Sequence, residues 1–146
     1  MKMIVGLVTA ACFLSASDAM ARDTRHMFSI AEALRTLAAE QRIDQNVQLI
    51  FGNQPHPPVA KNLGTFTSNR KTNAFNKSDK EACEWAFLSA ILSLQERARR
   101  EGGDAVVNIR SYYKKISISH QTKYMCGAGA IVAGVAFRGD VVKLKK

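Results

Sequence analysis

The segment from Ser78 to Gly103 constrains the fold more than any other, because both of its ends are written in the sequence. Ser78-Asp79-Lys80-Glu81 is a capping box: the Ser78 hydroxyl can accept from the amide three residues on while Glu81 reaches back. Asp79 also sits well against the positive end of the helix dipole. At the far end Arg97, Arg99 and Arg100 stand where the last carbonyls point. Gly102-Gly103 then supplies the left-handed residue at which a helix stops. The frame predicts one long helix. Ala82, Trp85, Ala86, Ser89, Leu92 and Ser93 mark a face of it, widened by Leu88 and Ile91, and that face is expected to meet the core.

A second box, Ser29-Ile30-Ala31-Glu32, opens a run with Ala31, Leu34, Leu37 and Ala38 at helical spacing, which predicts a short helix from about residue 30 to 41. Val47, Leu49 and Phe51 then alternate as in a strand. Gln54-Pro55-His56-Pro57-Pro58 stops it as a rigid loop. Lys61 to Lys77 is polar, with room for a short strand around Leu63 to Thr67. After the glycine pair, Ala105-Val106-Val107-Asn108-Ile109 begins a strand expected to continue through Tyr112 and Tyr113 toward Ile118. Ser119 to Thr122 would turn it, and Lys123 to Cys126 would begin the return. Gly127 to Val142 reads as one long bent strand or two short ones, with glycines at the bends. The expected fold class is α+β: a mostly antiparallel sheet with one long and one short helix packed on one face, and a single disulfide.

Met1 to Ala21 has the form of an export signal. Lys2 is the positive n-region, Ile4 to Leu14 is apolar, and Ala19-Met20-Ala21 offers small residues where a signal peptidase reads. The expected organisation is a signal peptide over residues 1–21, cleaved after Ala21, and a single domain over 22–146 in the periplasm or outside the cell. Cys12 after Thr9-Ala10-Ala11 is the alternative, a lipoprotein site. No apolar run approaches the roughly 20 residues of a membrane span. Two cysteines remain after cleavage, Cys83 and Cys126. In an oxidising compartment an even, small count predicts a bridge between them, tying the long helix to the return strand. The rival is a reactive Cys83 thiol near a helix N-terminus.

Lys71-Thr72-Asn73-Ala74, Ser78 to Cys83, Ala105-Val106-Val107, Ser111-Tyr112-Tyr113-Lys114-Lys115 and Cys126-Gly127-Ala128-Gly129-Ala130 resemble a family of small exported bacterial proteins commonly labelled "excinuclease ATPase subunit". The likeness covers most of residues 22–146. The helix, glycine pair and Ala-Val-Val strand are also similar to the small α+β domain shared by YbjQ-type proteins and the outer-membrane stress sensor RcsF, which implies an envelope or stress-sensing role. The label itself fails on chemistry. No Gly-Lys pair exists to build a phosphate-cradling Gly-x-x-x-x-Gly-Lys-Ser/Thr loop, and no Cys-x-x-Cys exists to bind zinc, so ATPase and excinuclease activity are excluded.

Other chemistries find little. His26, His56 and His120 are scattered, and only His120 with Cys83 and Cys126 could be imagined around a metal. Gly127 to Gly134 departs from Gly-x-Gly-x-x-Gly and is rich in strand formers, so its glycines are expected to let a helix pack closely on the sheet. There is no Gly-x-Ser-x-Gly. No catalytic residue, metal or cofactor is assigned.

Charge is the broad feature that remains: 21 Lys and Arg against 12 Asp and Glu, a net +9. The cations fall in clusters at Lys61, Arg70, Lys71 and Lys77; at Arg97, Arg99 and Arg100; at Arg110, Lys114, Lys115 and Lys123; and in the tail Lys143, Lys145 and Lys146. Tyr112 and Tyr113 adjoin the third cluster. The binding face is therefore expected to be built from Arg97, Arg100, Arg110, Tyr112, Tyr113, Lys114, Lys115 and Lys123. Outside a cytoplasm the partner would be an anionic envelope polymer or a protein, and not nucleic acid. The expected function is a non-enzymatic binding domain. The alternative is a small-ligand or metal binder around Cys126 and His120.

Overall fold

The computed structural model describes residues 22–146. The export signal and the Cys12 lipoprotein site lie outside the described residues. Nine regular elements follow: β1 (Thr24–Ser29), α1 (Ile30–Leu34), α2 (Leu37–Arg42), β2 (Gln48–Phe51), β3 (Val59–Asn73), α3 (Asp79–Glu101), β4 (Ala105–Ser111), β5 (Lys123–Ala128) and β6 (Val132–Leu144).

β6 is the spine of a six-stranded sheet. Along one side β3 runs antiparallel to it for its whole length, Val59 opposite Leu144 and Asn73 opposite Val132. The other side is shared. β5 takes the start of β6, Gly127 opposite Gly134, and β4 takes its end, Ala105 opposite Val142. β1 extends the β5 branch antiparallel, and β2 extends the β4 branch parallel. The sheet is thus mixed, which corrects the mostly antiparallel expectation. A parallel pair needs a long crossover, and β3 with α3 supplies one between β2 and β4.

Other expectations change with it. β4 and β5 form no hairpin, since each pairs with β6 instead. The chain leaves the sheet after Ser111 in a tight turn, Tyr113–Lys115, with Lys114 and Lys115 at φ 49° and 63°. The expected 30–41 helix is broken into α1 and α2, because the Thr36 hydroxyl accepts from the Ala39 amide at 3.3 Å and restarts the helix as a cap. There are accordingly three helices, one of them long. The polar Lys61–Lys77 stretch, expected to hold a short strand, lies largely in the 15-residue β3. Its polarity reflects an edge position, where charged side chains discourage further pairing.

The capping frame of α3 is realised. Ser78 accepts from the Glu81 amide at 3.1 Å, and Gly102 stands in the left-handed region at φ 78°. Gly103 is fixed by closeness, since a Cβ there would lie 2.6 Å from Val141. The face of α3 that meets the core differs from the expected one. Cys83, Ala86, Phe87, Ala90, Leu94 and Ala98 are buried, whereas Trp85 and Ser89 face outward. Ala82, Ala86, Leu88 and Ile91 from the expected set are buried as read. Alanines bring the helix close to β6, and Phe87 fills the space between Tyr124 and Phe137, with ring centroids 4.7 and 5.5 Å away. Cys83 and Cys126 form a disulfide with α-carbons 5.9 Å apart. Both are fully buried, so the bridge sews α3 to β5 inside the core. Closing a loop across a sequence separation of 43 stabilises the fold by about 4 kcal/mol in the chain-entropy account.

Candidate functional site

The outward stripe of α3 is one wall of a cleft of about 560 Å³. Trp85, Ser89, Ser93, Glu96 and Arg99 recur along it at helical spacing. The opposite wall is β3, whose Arg70 reaches over it, and Arg42 closes one side from the last turn of α2. Three cations from three elements, Arg42, Arg70 and Arg99, therefore line one cleft with Trp85, and Glu96 is the single acid in the lining.

Each of these positions has a local cause. Arg70 shares the face of β3 that carries Phe66 and Ser68, by the two-residue repeat of a strand. Its guanidinium donates to the Ser93 hydroxyl at 3.0 Å, which holds it across the cleft. Arg99 donates to Asp44 at 2.8 Å. The Asn46 amide first, and then Arg99, hold the Asp44 carboxyl below its ordinary range. Asp44 is in turn placed by Gln95, a fully buried amide on the inner side of α3. Gln95 accepts from the Asp44 amide at 3.0 Å and donates to the carbonyls of Asp44 and Val47 at 2.8 and 2.9 Å. The turn between α2 and β2 is thereby pinned to the long helix. Trp85 remains 40% exposed. An indole face beside guanidinium and hydroxyl donors can take a planar or ring-shaped moiety while the cations take its negative charge.

The residues expected to form one binding face fall into separate places. Cys126 is bonded to α3, so its neighbour Gly127 points to the opposite face of the sheet. Tyr113 lies on that opposite face: a Cβ on Gly127 would meet its hydroxyl at 2.1 Å. Tyr113 donates to Asp23 at 2.7 Å and Lys114 donates to the same carboxylate at 2.6 Å. Burial, then Asp23, pushes the Tyr113 phenol up to about 12. Arg110 stands 3.7 Å from Asp140, and Tyr112 carries the Arg138 guanidinium over its ring. These groups are largely engaged with one another. Lys115 follows them in the exposed turn, and Lys123 opens β5, also exposed. Arg97 and Arg100 belong to α3 but sit beside Phe66 in a smaller hollow, where Arg97 covers the Phe66 ring at 4.0 Å and pairs with Glu101 at 2.9 Å. The cleft instead joins Arg70 of the first sequence cluster to Arg99 of the second, while the Lys71 side chain lies on the opposite sheet face, beside Gly134 and Tyr113.

The glycine run Gly127 to Gly134 has a use other than the one expected. The close neighbour it admits is the Tyr113 ring, at Gly127 and at Gly134, and not a helix. Metal chemistry around Cys126 lacks its donors, because both sulfurs are spent in the bridge and the His120 ring accepts from the amides of Thr122 and Lys123 at 3.1 Å. Among the described residues no three His, Cys, Asp or Glu side chains converge. Among them, too, no helix is long and apolar enough to cross a membrane.

Two participants escape a reading of the sequence alone. Arg42 is a lone cation at the end of a weak helical pattern, and only tertiary placement gives it a role. Gln95 carries a faint signal, a neutral amide lying at the spacing of Ile91, Leu94 and Ala98. No protein-family model and no curated protein matches the chain.

Proposed function

We propose that this chain is a non-enzymatic binding domain of the bacterial envelope, and that the α3–β3 cleft is where it takes an anionic envelope polymer. The observation that carries the reading is the gathering of Arg42, Arg70 and Arg99 in one cleft with a half-exposed tryptophan. Arg99 keeps its Asp44 pair, while Arg70 is held only by the neutral Ser93 hydroxyl and Arg42 has no carboxylate partner among the described residues, so these two have donors free for a bound phosphate or carboxylate. The net charge of +9 adds long-range attraction to any polyanion and speeds encounter. Export follows from the leader and from the resemblance to small exported proteins, and a buried disulfide suits an oxidising compartment.

The test is binding to an immobilised, phosphate-rich lipopolysaccharide at increasing salt. Affinity is expected to fall steeply with ionic strength, and a variant combining Arg42→Ala and Arg70→Ala is expected to lose at least tenfold. A control carrying Lys115→Ala and Lys123→Ala, both outside the cleft, is expected to bind as the parent does. Binding indifferent to salt, or equally weakened by the control, would overturn the assignment of the cleft.

A further inference from the structure

Trp85 is a wall of two cavities. On one side lies the basic cleft. On the other, toward the N-terminal end of α3, lies an apolar pocket of about 220 Å³ between α2 and α3, floored by Leu88 and bordered by Leu37 and Ala38. Leu37 is 69% exposed and Trp85 40%, so both apolar surfaces are open to a ligand. The two cavities run end to end along one helix. Ser93, where Arg70 is held, stands eight residues along α3 from Trp85, about 12 Å at the rise of an α-helix. The charge of the resulting trough is polarised: Glu81 and Glu84 border the apolar end, while the cations gather at the other.

We infer that the trough takes a single-chain amphiphile with an anionic head, an alkyl or acyl phosphate, with its head among Arg42, Arg70 and Arg99 and its chain against Trp85, Leu37 and Leu88. The inference rests on the cleft being an anion site, and it names the ligand class. The charge pattern fixes the direction of binding. The two glutamates repel an anionic head from the apolar end, and the cations draw it to the far end, so only one orientation satisfies both halves. A free phosphate leaves the Leu37 pocket wet. A neutral chain leaves Arg42 and Arg70 without a charged partner.

Trp85 is the only tryptophan in the chain, so its emission reports occupancy of the trough. The intact protein is titrated with octyl phosphate, with inorganic phosphate and with octyl glucoside, each below the concentration at which micelles form. Octyl phosphate is expected to shift the emission to the blue and saturate at least tenfold more tightly than either of the others. Leu37→Ser, at a solvent-exposed position, is expected to remove most of that advantage and leave the phosphate affinity alone. Arg42→Ala with Arg70→Ala is expected to weaken octyl phosphate and inorganic phosphate by the same factor. Equal affinity for octyl phosphate and inorganic phosphate would overturn the amphiphile and leave the anion site standing. Equal affinity for octyl phosphate and octyl glucoside would overturn both, as would the absence of any response.

Discussion

On its inner flank α3 is held to the sheet by a disulfide, by close-packed alanines and by the Phe87 ring between Tyr124 and Phe137. On its outer flank the same helix presents Trp85, Ser89, Ser93 and Arg99 to an open trough. Small residues serve both sides, to opposite ends. Alanine lets the backbone of α3 approach β6, since it adds no bulk and no polar group. Serine keeps the outer surface low and offers hydroxyls, one of which already holds Arg70. One flank is built so that nothing more can bind, and the other so that something can. Stability and recognition are thereby separated on one element, about half a helical turn apart.

That separation can be attacked from the inner side first. Replacing Cys83 and Cys126 together by serine is expected to remove about 4 kcal/mol of unfolding free energy. Urea denaturation of the double variant measures this, and a loss under about 1 kcal/mol would mean that packing alone holds the inner flank. Below its unfolding temperature the variant is expected to bind anions as the parent does. Gln95→Leu leaves an amide and two carbonyls of the Asp44–Val47 turn without their partner. It is expected to cost about 2–3 kcal/mol. Because Asp44 then loses its anchor and Arg99 its orientation, it is the one inner-flank change expected also to weaken binding in the trough.

A smaller effect is expected on the opposite sheet face. Gly127→Ala must displace the Tyr113 ring, which costs about 1–3 kcal/mol for an overpacked site. Thermal unfolding measures that loss, and trough binding is expected to stay unchanged. The smallest effect concerns acid. Asp79, in the first turn of α3, accepts from Arg22 at 2.9 and 3.0 Å and pairs with His26 at 2.8 Å. Arg22 first, and then His26, hold its carboxyl down to about 2. A carboxyl depressed in the folded state contributes stability above its unfolded value near 4, and loses it as pH falls from there toward about 2. Asp79→Asn is expected to flatten that limb of the stability–pH profile, lowering stability at neutral pH by the height of the limb and leaving it unchanged in strong acid. An unchanged acid limb would show that the Arg22 and His26 contacts contribute nothing in solution.

What could be read in advance divides along the same line. The ends of α3 were legible because capping is local: Ser78, Glu81, Gly102 and Gly103 act within one turn of each other. The Cys83–Cys126 pairing was legible because only two cysteines remain once the leader is taken as removed. The inner and outer faces of α3 were not separable, because alanine and serine are both small and the pattern Ala82, Trp85, Ala86, Ser89 fits a helix surface of either kind. β3 was hidden for a related reason. An edge strand exposed along most of both faces shows little of the alternation that marks a half-buried one. The missing hairpin and the parallel β2–β4 pair depend on the crossover through β3 and α3, and no window of sequence contains that. The cleft itself assembles Arg42, Arg70 and Arg99 from three elements. Counting cations along the chain grouped them by neighbourhood in sequence, and the fold regrouped them.

The most direct test of the central claim, that the outer flank of α3 is the recognition surface, is a nuclear magnetic resonance titration of the disulfide-bonded protein with octyl phosphate. The predicted result is that shifts concentrate on the Trp85 indole, on Ser89 and Ser93, and on the guanidinium of Arg70. Perturbations centred instead on Arg110 to Lys115, across the sheet, would contradict it.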